Sequence, residues 1–308
     1  MKSRVEPGTW VVAVSGGVDS VALLDMLARL RRSAPKKYKF VVAHFDHGIR
    51  TDSVDDRRHV QKLAKQYGLP FVYKEVTLGS GTSEADARAA RYEFLDSVRK
   101  ASAARGVITA HHRDDVLETA THHILRGTGR RGLTALSHSH VRQRPLLDTP
   151  KQQLKAYAQT RGLRWREDST NQDLRYTRNY IRHRLLGRLS ESELLQLSEI
   201  IEATRHLNDQ IDEQIIHMLH VQPHTHQIDR KWFTQLPHAV AREVVHAWLR
   251  IRGVNEVDRQ MVERAVVAIK AGRQGQRYSL DKSHVLSIGK TVAELTSLNP
   301  PKVRSKSV

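Results

Sequence analysis

The sequence predicts an α/β fold, a parallel doubly wound sheet followed by a helical linker and a small, mostly helical second domain. Three observations predict it. Short β-branched runs alternate with amphipathic helical stretches as far as about Arg126. Polar clusters directly follow three of the expected strands, at Ser15 to Ser20, His44 to Arg50 and His111 to Asp115. Farther on, Ser190 to about His220 contains neither Gly nor Pro and carries one apolar stripe. Strand–helix alternation argues for a parallel sheet with helices on both faces. In such sheets ligands bind beyond the carboxyl ends of the strands, where the three polar clusters lie.

Each element has its own signal. Val11 to Val14 is an apolar run of the buried-strand kind, and Asp19 to Leu30 follows with Val21, Leu24, Leu27 and Ala28 at helical spacing. Phe40 to Ala43 reads as a second strand, and Asp52 to Tyr67 as a polar helix stopped by Gly68. Pro70 to Val76 is a third strand. Ser83 with Asp86 resembles a capping box that opens a helix to about Ala104. Val107 to Ala110 is a fourth strand, and another helix runs from about Asp114 to Arg126. Arg144 to Leu147 is a short extended piece. Thr149 and Pro150 start a helix that Gly162 ends. The later part has apolar helices around 240–251 and 257–271 and a hairpin from Arg277 to Ile288. The expected domains are 1–188 (catalytic), 189–222 (helical linker), 223–298 (small substrate-binding domain) and 299–308 (disordered basic tail).

Composition narrows the function. The chain has 308 residues, 39% apolar and 6% aromatic, enough for a packed core and one or two domains. It has no Cys, which excludes disulfides, Cys-ligated zinc or iron–sulfur centres and a thiol nucleophile. Met1 to Trp10 lacks a signal-like apolar run, and no stretch approaches the roughly 20 apolar residues of a membrane span. A soluble, cytoplasmic protein without a membrane partner is therefore expected. Lys and Arg number 51 against 33 Asp and Glu, a net charge of +18. Nucleic acid is the first partner class such an excess implies, against a merely solvated or membrane-facing surface. Between Thr121 and Ser190 fifteen Lys and Arg face four acids, which favours phosphate recognition.

The sharpest chemical motif is Ser15-Gly16-Gly17-Val18-Asp19-Ser20, between a strand and a helix. Two glycines let backbone amides turn toward an anion, and the helix N-terminus adds positive potential. There is no Gly-Lys-[Ser/Thr] ending, so this is not a Walker A loop. Asp19 either neighbours a phosphate-bound cation or caps its helix. Asp115 and Glu118 are three apart and share a helix face. The His and acid clusters lack H-E-x-x-H spacing, so no transition-metal site is expected.

The motif in its setting resembles the PP-loop, or N-type ATP pyrophosphatase, superfamily, with an adenine nucleotide alpha hydrolase-like fold. The other clusters narrow the resemblance to the tRNA(Ile)-lysidine synthetase family. Ala87 to Tyr92 is similar to its A-R-x-x-R-Y, and Arg126 to Leu133 to its R-G-[ST]-G-x-x-G-L. Arg144 to Leu147 matches R-P-L-L. Glu167 to Asp173 with Arg178 to Arg182 matches E-D-x-[ST]-N-x-D…R-N-x-I-R. The likeness is strong over about Trp10 to Leu186 and weak over about Asp229 to Glu294.

The resemblance implies a ligase that joins lysine to C2 of the cytidine at the first anticodon position of an isoleucine tRNA reading CAU. ATP first adenylates the base, with Mg²⁺, and the codon read changes from AUG to AUA. It implies ATP binding at Ser15, Gly16, Gly17, Val18, Asp19, Ser20, His44 and His111, with Asp19 near Mg²⁺ through ATP. Asp115 and Glu118 would hold or deprotonate the lysine substrate, and Arg91 would face the phosphate or developing negative charge. Asp19, Asp115, Glu118 and Arg91 are the implied catalytic set. Arg126, Arg130, Arg131, Arg178 and Arg182 would meet the tRNA, the last two equally suited to the adenylate. Plainer roles stay open: Glu118 in a salt bridge to a neighbouring Arg, Arg88 and Arg91 on a solvated helix face. Longer relatives of that family carry a further C-terminal domain that is not expected in this sequence, so acceptor-stem discrimination is either in doubt or rests on the basic domain from about His224 to Glu294. A homodimer is left open. The competing readings are another PP-loop adenylating enzyme, acting on a different RNA or a small molecule, and a noncatalytic RNA-binding protein on the same scaffold.

Overall fold

The computed structural model describes residues 5–46, 53–76, 84–139, 141–166, 177–220, 227–254, 257–281 and 283–298. It divides into two compact units, Met1–Arg205 and His206–Val308.

The first unit is built on a parallel sheet of β1 (Gly8–Ala13), β2 (Tyr38–Asp46), β3 (Phe71–Glu75), β4 (Gly106–Ile108) and β5 (Arg142–Gln143), in the order β3-β2-β1-β4-β5. The order reverses between β1 and β4, and such a switch point opens a crevice at the carboxyl ends of the two strands. Side chains of β1 alternate between two buried faces. Trp10 and Val12 enter one core with α1 (Val18–Ser33), α2 (Ser53–Gln66) and α6 (Lys151–Thr160), through Leu24, Leu27, Val60 and Leu154. Val11 and Ala13 enter the other, against Phe94, Leu95 and Val98 of α3 (Glu84–Ala101). Burial on both faces explains why the strand reads as a continuous apolar run. Fully buried Trp10 and Leu24 each contribute roughly 2–3 kcal/mol by area removed from water. Trp10 pairs with Gly106 across the β1–β4 ladder, and a Cβ there would meet the Val141 carbonyl at 2.4 Å and the indole at 2.7 Å. Only glycine lets the strands close over the tryptophan.

α4 (Arg113–Leu125) follows β4 and begins at the crevice. Its inner face packs Val116, Leu117 and Ala120 on Ile181 and Leu186, from a π-helical turn (Ile181–Leu185) and the turn after it. α5 (Arg130–Leu133) and α7 (Thr177–Tyr180) are single turns. α8 runs Glu191–His220, as its Gly- and Pro-free sequence predicts.

Two boundaries differ from the sequence expectation. α3 ends at Ala101, short of Ala104, because Ala103 takes a left-handed φ of +49° and Ala104 N–H reaches back to the Arg99 carbonyl at 2.9 Å. That closure usually has glycine, and alanine gives no warning of it. The extended piece expected at Arg144 to Leu147 is centred earlier, in β5, with Leu146 bridging His112. The capping pair at Ser83 and the tail 299–308 lie outside the described residues.

The second unit holds the expected hairpin, β7 (Arg277–Ser279) against β8 (His284–Ile288), within a larger antiparallel sheet. β9 (Val292–Ser297) and β6 (Gln227–Asp229) complete the order β6-β9-β8-β7. α9 (Arg230–Gln235), α10 (His238–Ile251) and α11 (Arg259–Ala271) cover it through Phe233, Val244, Trp248 and Val266. The Arg230 guanidinium donates to the carbonyls of Ile269, Gly272 and Gly289 at 2.7–2.9 Å and so ties helix to loop.

Candidate active site

The loop after β1 is fixed by its own side chains. Ser20 Oγ donates to the Gly17 carbonyl at 2.9 Å and accepts from Gly16 N–H at 3.2 Å, and Ser15 Oγ lies 3.2 Å from Ser20 Oγ. Gly16 has φ +99°, a region L side chains avoid, and its carbonyl accepts from Arg166 N–H at 3.0 Å. α1 starts at Val18, so its first amides have no intrahelical acceptor and face the crevice end of β1. With the Gly16 and Gly17 amides held by Ser20 and Ser15, the open amides at the start of α1 make the anion seat.

His44 sits at the end of β2, 3% exposed, with Nδ1 2.8 Å from the Val14 carbonyl. A carbonyl cannot donate, so Nδ1 carries the proton. Burial holds this imidazole below its ordinary pKa, and Nε2 is left as an acceptor.

Asp19 and the start of α4 form the centre. His112 Nε2 is 3.5 Å from an oxygen of Asp19 and 3.5 Å from one of Asp115. His112 N–H also donates to Asp115 at 2.9 Å, the helix-capping contact that fixes that carboxylate. Burial disfavours a charged His112, but the Asp19 hydrogen bond and the charges of Asp115, Asp19 and Asp114 outweigh it and raise its pKa. Burial likewise pushes Asp19 upward, yet His112, Lys151 and Arg182 bring it below the ordinary carboxylate range. Lys151 Nζ is 3.9 Å from Asp19, and its amide donates to Asp114 at 2.9 Å. Asp19 Oδ1 is buried with no hydrogen-bond partner.

Glu118, one turn farther along α4, is 2% exposed and held by Arg182, Nε at 2.6 Å and an Nη at 3.0 Å. Burial raises its pKa and Arg182 opposes the rise. The salt bridge left open from sequence is therefore formed, and Arg182 turns inward to it. His111 Nδ1 lies 2.7 Å from Thr109 Oγ1, and burial followed by the charges of Arg144, Arg91, Arg88 and Arg178 holds the ring well below its usual pKa. Arg91 and Arg178 thus share the field at the end of β4.

The structure brings Ser15 to Ser20, His44, Asp115, Glu118, Arg91, His111, Arg178 and Arg182 to one end of the sheet. It does not bring Arg126, Arg130 and Arg131 there. They follow the far end of α4, roughly 20 Å from its start at 1.5 Å per residue, where Gly127 at φ +65° turns the chain. His47 to Arg50 and Glu167 to Asp173 lie outside the described residues. Sequence reasoning missed two participants. His112 stood inside a noted cluster, but its partners come from α1 and α4 together. Lys151 follows the Arg-Pro-Leu-Leu stretch with no local signal, and only the packing of α6 on α1 brings it to Asp19.

A glycine–serine anion loop entering a helix, at the switch point of a parallel sheet and facing acids and imidazoles, defines a nucleotide-phosphate-binding α/β protein. Comparison with known families refines this: residues 1–189 match the PP-loop domain, and the chain belongs to that family. Among curated relatives, the tRNA(Ile)-lysidine synthase of Geobacter sulfurreducens is 42% identical over 207 residues, 62% of this chain and 43% of that one. Enzymes of the same name from Thermotoga sp. (strain RQ2) and Pseudomonas aeruginosa are 39% and 35% identical over 188 and 213 residues, 59% and 67% of this chain. The match spans under half of each relative, 45% and 48% for these two. A solved U34-tRNA thiolase from Methanococcus maripaludis shares the fold, with a TM-score of 0.54 at 16% identity over 67% of this chain and 75% of its own.

Proposed function

We propose that the chain carries out ATP-dependent ligation of lysine to C2 of the first anticodon cytidine in a CAU-reading isoleucine tRNA. The observation that carries this reading is the convergence of the anion loop with Asp19, His112, Asp115 and Glu118 at one crevice, in a chain 35–42% identical to lysidine synthases. ATP use follows from the PP-loop family.

The chemistry has two steps. The cytosine O2 attacks the α-phosphorus of ATP and diphosphate leaves. The lysine ε-amine then attacks C2, the C2–O bond breaks, AMP leaves with that oxygen, and the amine loses a proton. The first amides of α1 hold the diphosphate end and oppose its charge. Asp19, kept ionised with one oxygen unpartnered, fits an oxygen-seeking Mg²⁺. When bound there, Mg²⁺ would neutralise charge on the phosphates. The ordinary lysine pKa is near 10.4, so an attacking amine must shed a proton. Asp115 lies at the mouth beside His112 and is placed to accept an ammonium hydrogen bond. Glu118 and Arg182 close the floor as a neutral pair, which keeps the amine's surroundings poor in water.

Mass spectrometry of that tRNA after incubation with the protein, ATP, Mg²⁺ and lysine tests the proposal. A lysine-dependent mass gain on the anticodon cytidine, with AMP and diphosphate released, is expected. No gain from protein that binds ATP and RNA overturns it. Among the described residues no helix is long and apolar enough to cross a membrane.

A further inference from the structure

Four arginines converge on one aromatic ring near the β5 edge of the parallel sheet. The guanidinium carbons of Arg142, Arg88 and Arg91 lie 4.3, 4.9 and 6.0 Å from the ring centroid of Tyr92. An Arg88 Nη lies 3.4 Å from the Tyr92 hydroxyl, and Arg144 interacts with the same side chain. Among the described residues none of the four makes an ion pair with a carboxylate. Asp96, one turn along α3, is taken by Arg99 and Lys100 at 2.7 and 2.9 Å. Arg144 is 7% exposed and its Nε is buried with no acceptor. Unmet positive charge of this density repels itself unless an anion completes it. Two neighbours register the same field: Tyr92 is brought below its ordinary pKa despite burial, and His111 is held neutral.

The cluster is separate from the anion loop. It is made of guanidiniums from α3, from β5 and, at Arg144, from the residue just after β5, not of backbone amides, and β5 is the outermost strand. Arg142 is exposed, and a cavity of about 410 Å³ opens beside it, lined by Tyr92, Arg99, Val107, Ser139, Val141, Arg142 and Asp96, the acid already paired with Arg99 and Lys100. Planar guanidiniums match phosphate oxygens in pairs, and several of them on one face suit consecutive phosphates along a strand.

We propose that Arg88, Arg142 and Arg144, gathered on Tyr92, form a second phosphate seat that holds phosphodiesters of the RNA flanking the reacting nucleotide. The inference rests on the RNA-substrate reading above, but its test is binding and does not need turnover. A labelled RNA stem-loop with CAU in its loop is titrated by fluorescence anisotropy over a range of KCl, and ATP binding is measured separately by calorimetry. For Arg88→Gln/Arg142→Gln, two lost contacts at about 0.7 each flatten the slope of log K against log [salt] by about 1.4. Affinity near physiological salt then falls about tenfold. ATP affinity stays within about twofold, and Arg142→Lys alone keeps the slope. An unchanged RNA slope in the double variant overturns the proposal. So does a fall in ATP affinity with the RNA slope retained, which assigns the seat to the nucleotide's own phosphates. If the wild-type protein binds the stem-loop with a steep slope that the variant flattens, yet no lysine is incorporated, the ligase reading fails and the phosphate seat stands.

Discussion

Replacing Arg182 with Gln removes the guanidinium that holds both oxygens of a nearly inaccessible carboxylate, and the size of the loss can be worked out. Glu118 is 2% exposed and Arg182 engages both its oxygens, at 2.6 and 3.0 Å. Breaking a buried pair typically costs about 3–5 kcal/mol, because a charge is left uncompensated. The Arg182 side chain is 27% exposed, so water reaches part of the gap and about 2–4 kcal/mol is expected here. In a unit of this size that lowers Tm by about 5–15 °C. The loss depends on pH in a defined direction. Burial already places Glu118 above its ordinary 4.5, so its protonated form is favoured by folding. Its contribution is full below about pH 4.5 and is lost as pH rises through the folded value. Without Arg182 the folded value is higher still, so the loss is larger and extends to higher pH. Urea unfolding of wild type and variant should therefore nearly coincide near pH 4.5 and diverge as pH rises above it. Glu118→Gln added to Arg182→Gln should recover most of the loss at the higher pH. A penalty that is small and independent of pH, or a double variant no better than Arg182→Gln, would falsify the buried-pair account.

Three further outcomes follow from the site and the fold. Asp19→Ala removes the carboxylate shared by His112 and Lys151, and tRNA-dependent ATP–pyrophosphate exchange should fall at least about 100-fold; near-normal exchange would contradict the role of Asp19. Gly16→Ala forces a Cβ onto φ +99° and should cost about 1–2 kcal/mol in a thermal melt while weakening ATP binding, with unchanged binding counting against the loop as the phosphate seat. Ala103→Gly relieves a left-handed alanine at φ +49° and should raise stability by about 0.5–1 kcal/mol in urea, whereas a loss would mean that the added unfolded-state entropy dominates.

The sheet was legible because its inner strands are short, β-branched and buried on both faces, so apolar runs and polar loop clusters alternate in plain order. Val11 to Val14 and Phe40 to Ala43 needed no tertiary knowledge. β5 was only half legible: two residues at an edge carry almost no periodic signal. β6, with three residues, was missed for the same reason; β9 was missed although it has six residues and pairs on both sides, because only Ala293 and Leu295 of it are buried apolar residues. In the site, Ser15 to Ser20 declares itself because glycine geometry and helix start are local properties. Lys151 and the Arg88–Arg142 convergence do not, because each joins elements that meet only after the sheet has formed.

The consecutive histidines at the end of β4 carry the argument about the site furthest. His111 and His112 differ by one position and are shifted in opposite directions, the first well down by burial and the arginines, the second up by carboxylates that outweigh its burial. Their backbone places one ring toward Arg91, Arg144 and Arg178 and the other toward Asp19, Asp114 and Asp115. A positive field and a negative field therefore meet along a single peptide. The proposed ligation joins an adenylated base to an amine that arrives as an ammonium and sheds a proton, so it needs both fields within reach of one carbon, the positive one for the phosphate and the negative one for the incoming ammonium. His112, raised by its carboxylates, is the imidazole of the two that more readily takes a proton, and it links Asp19 to Asp115 on the side away from His111. Replacing His112 with Gln would therefore remove the imidazole that both carboxylates share, although the backbone N–H at 112 still holds Asp115 and Lys151 still faces Asp19, and phosphate chemistry and amine use should decline together. Loss of one with the other intact would show that the two fields are maintained independently.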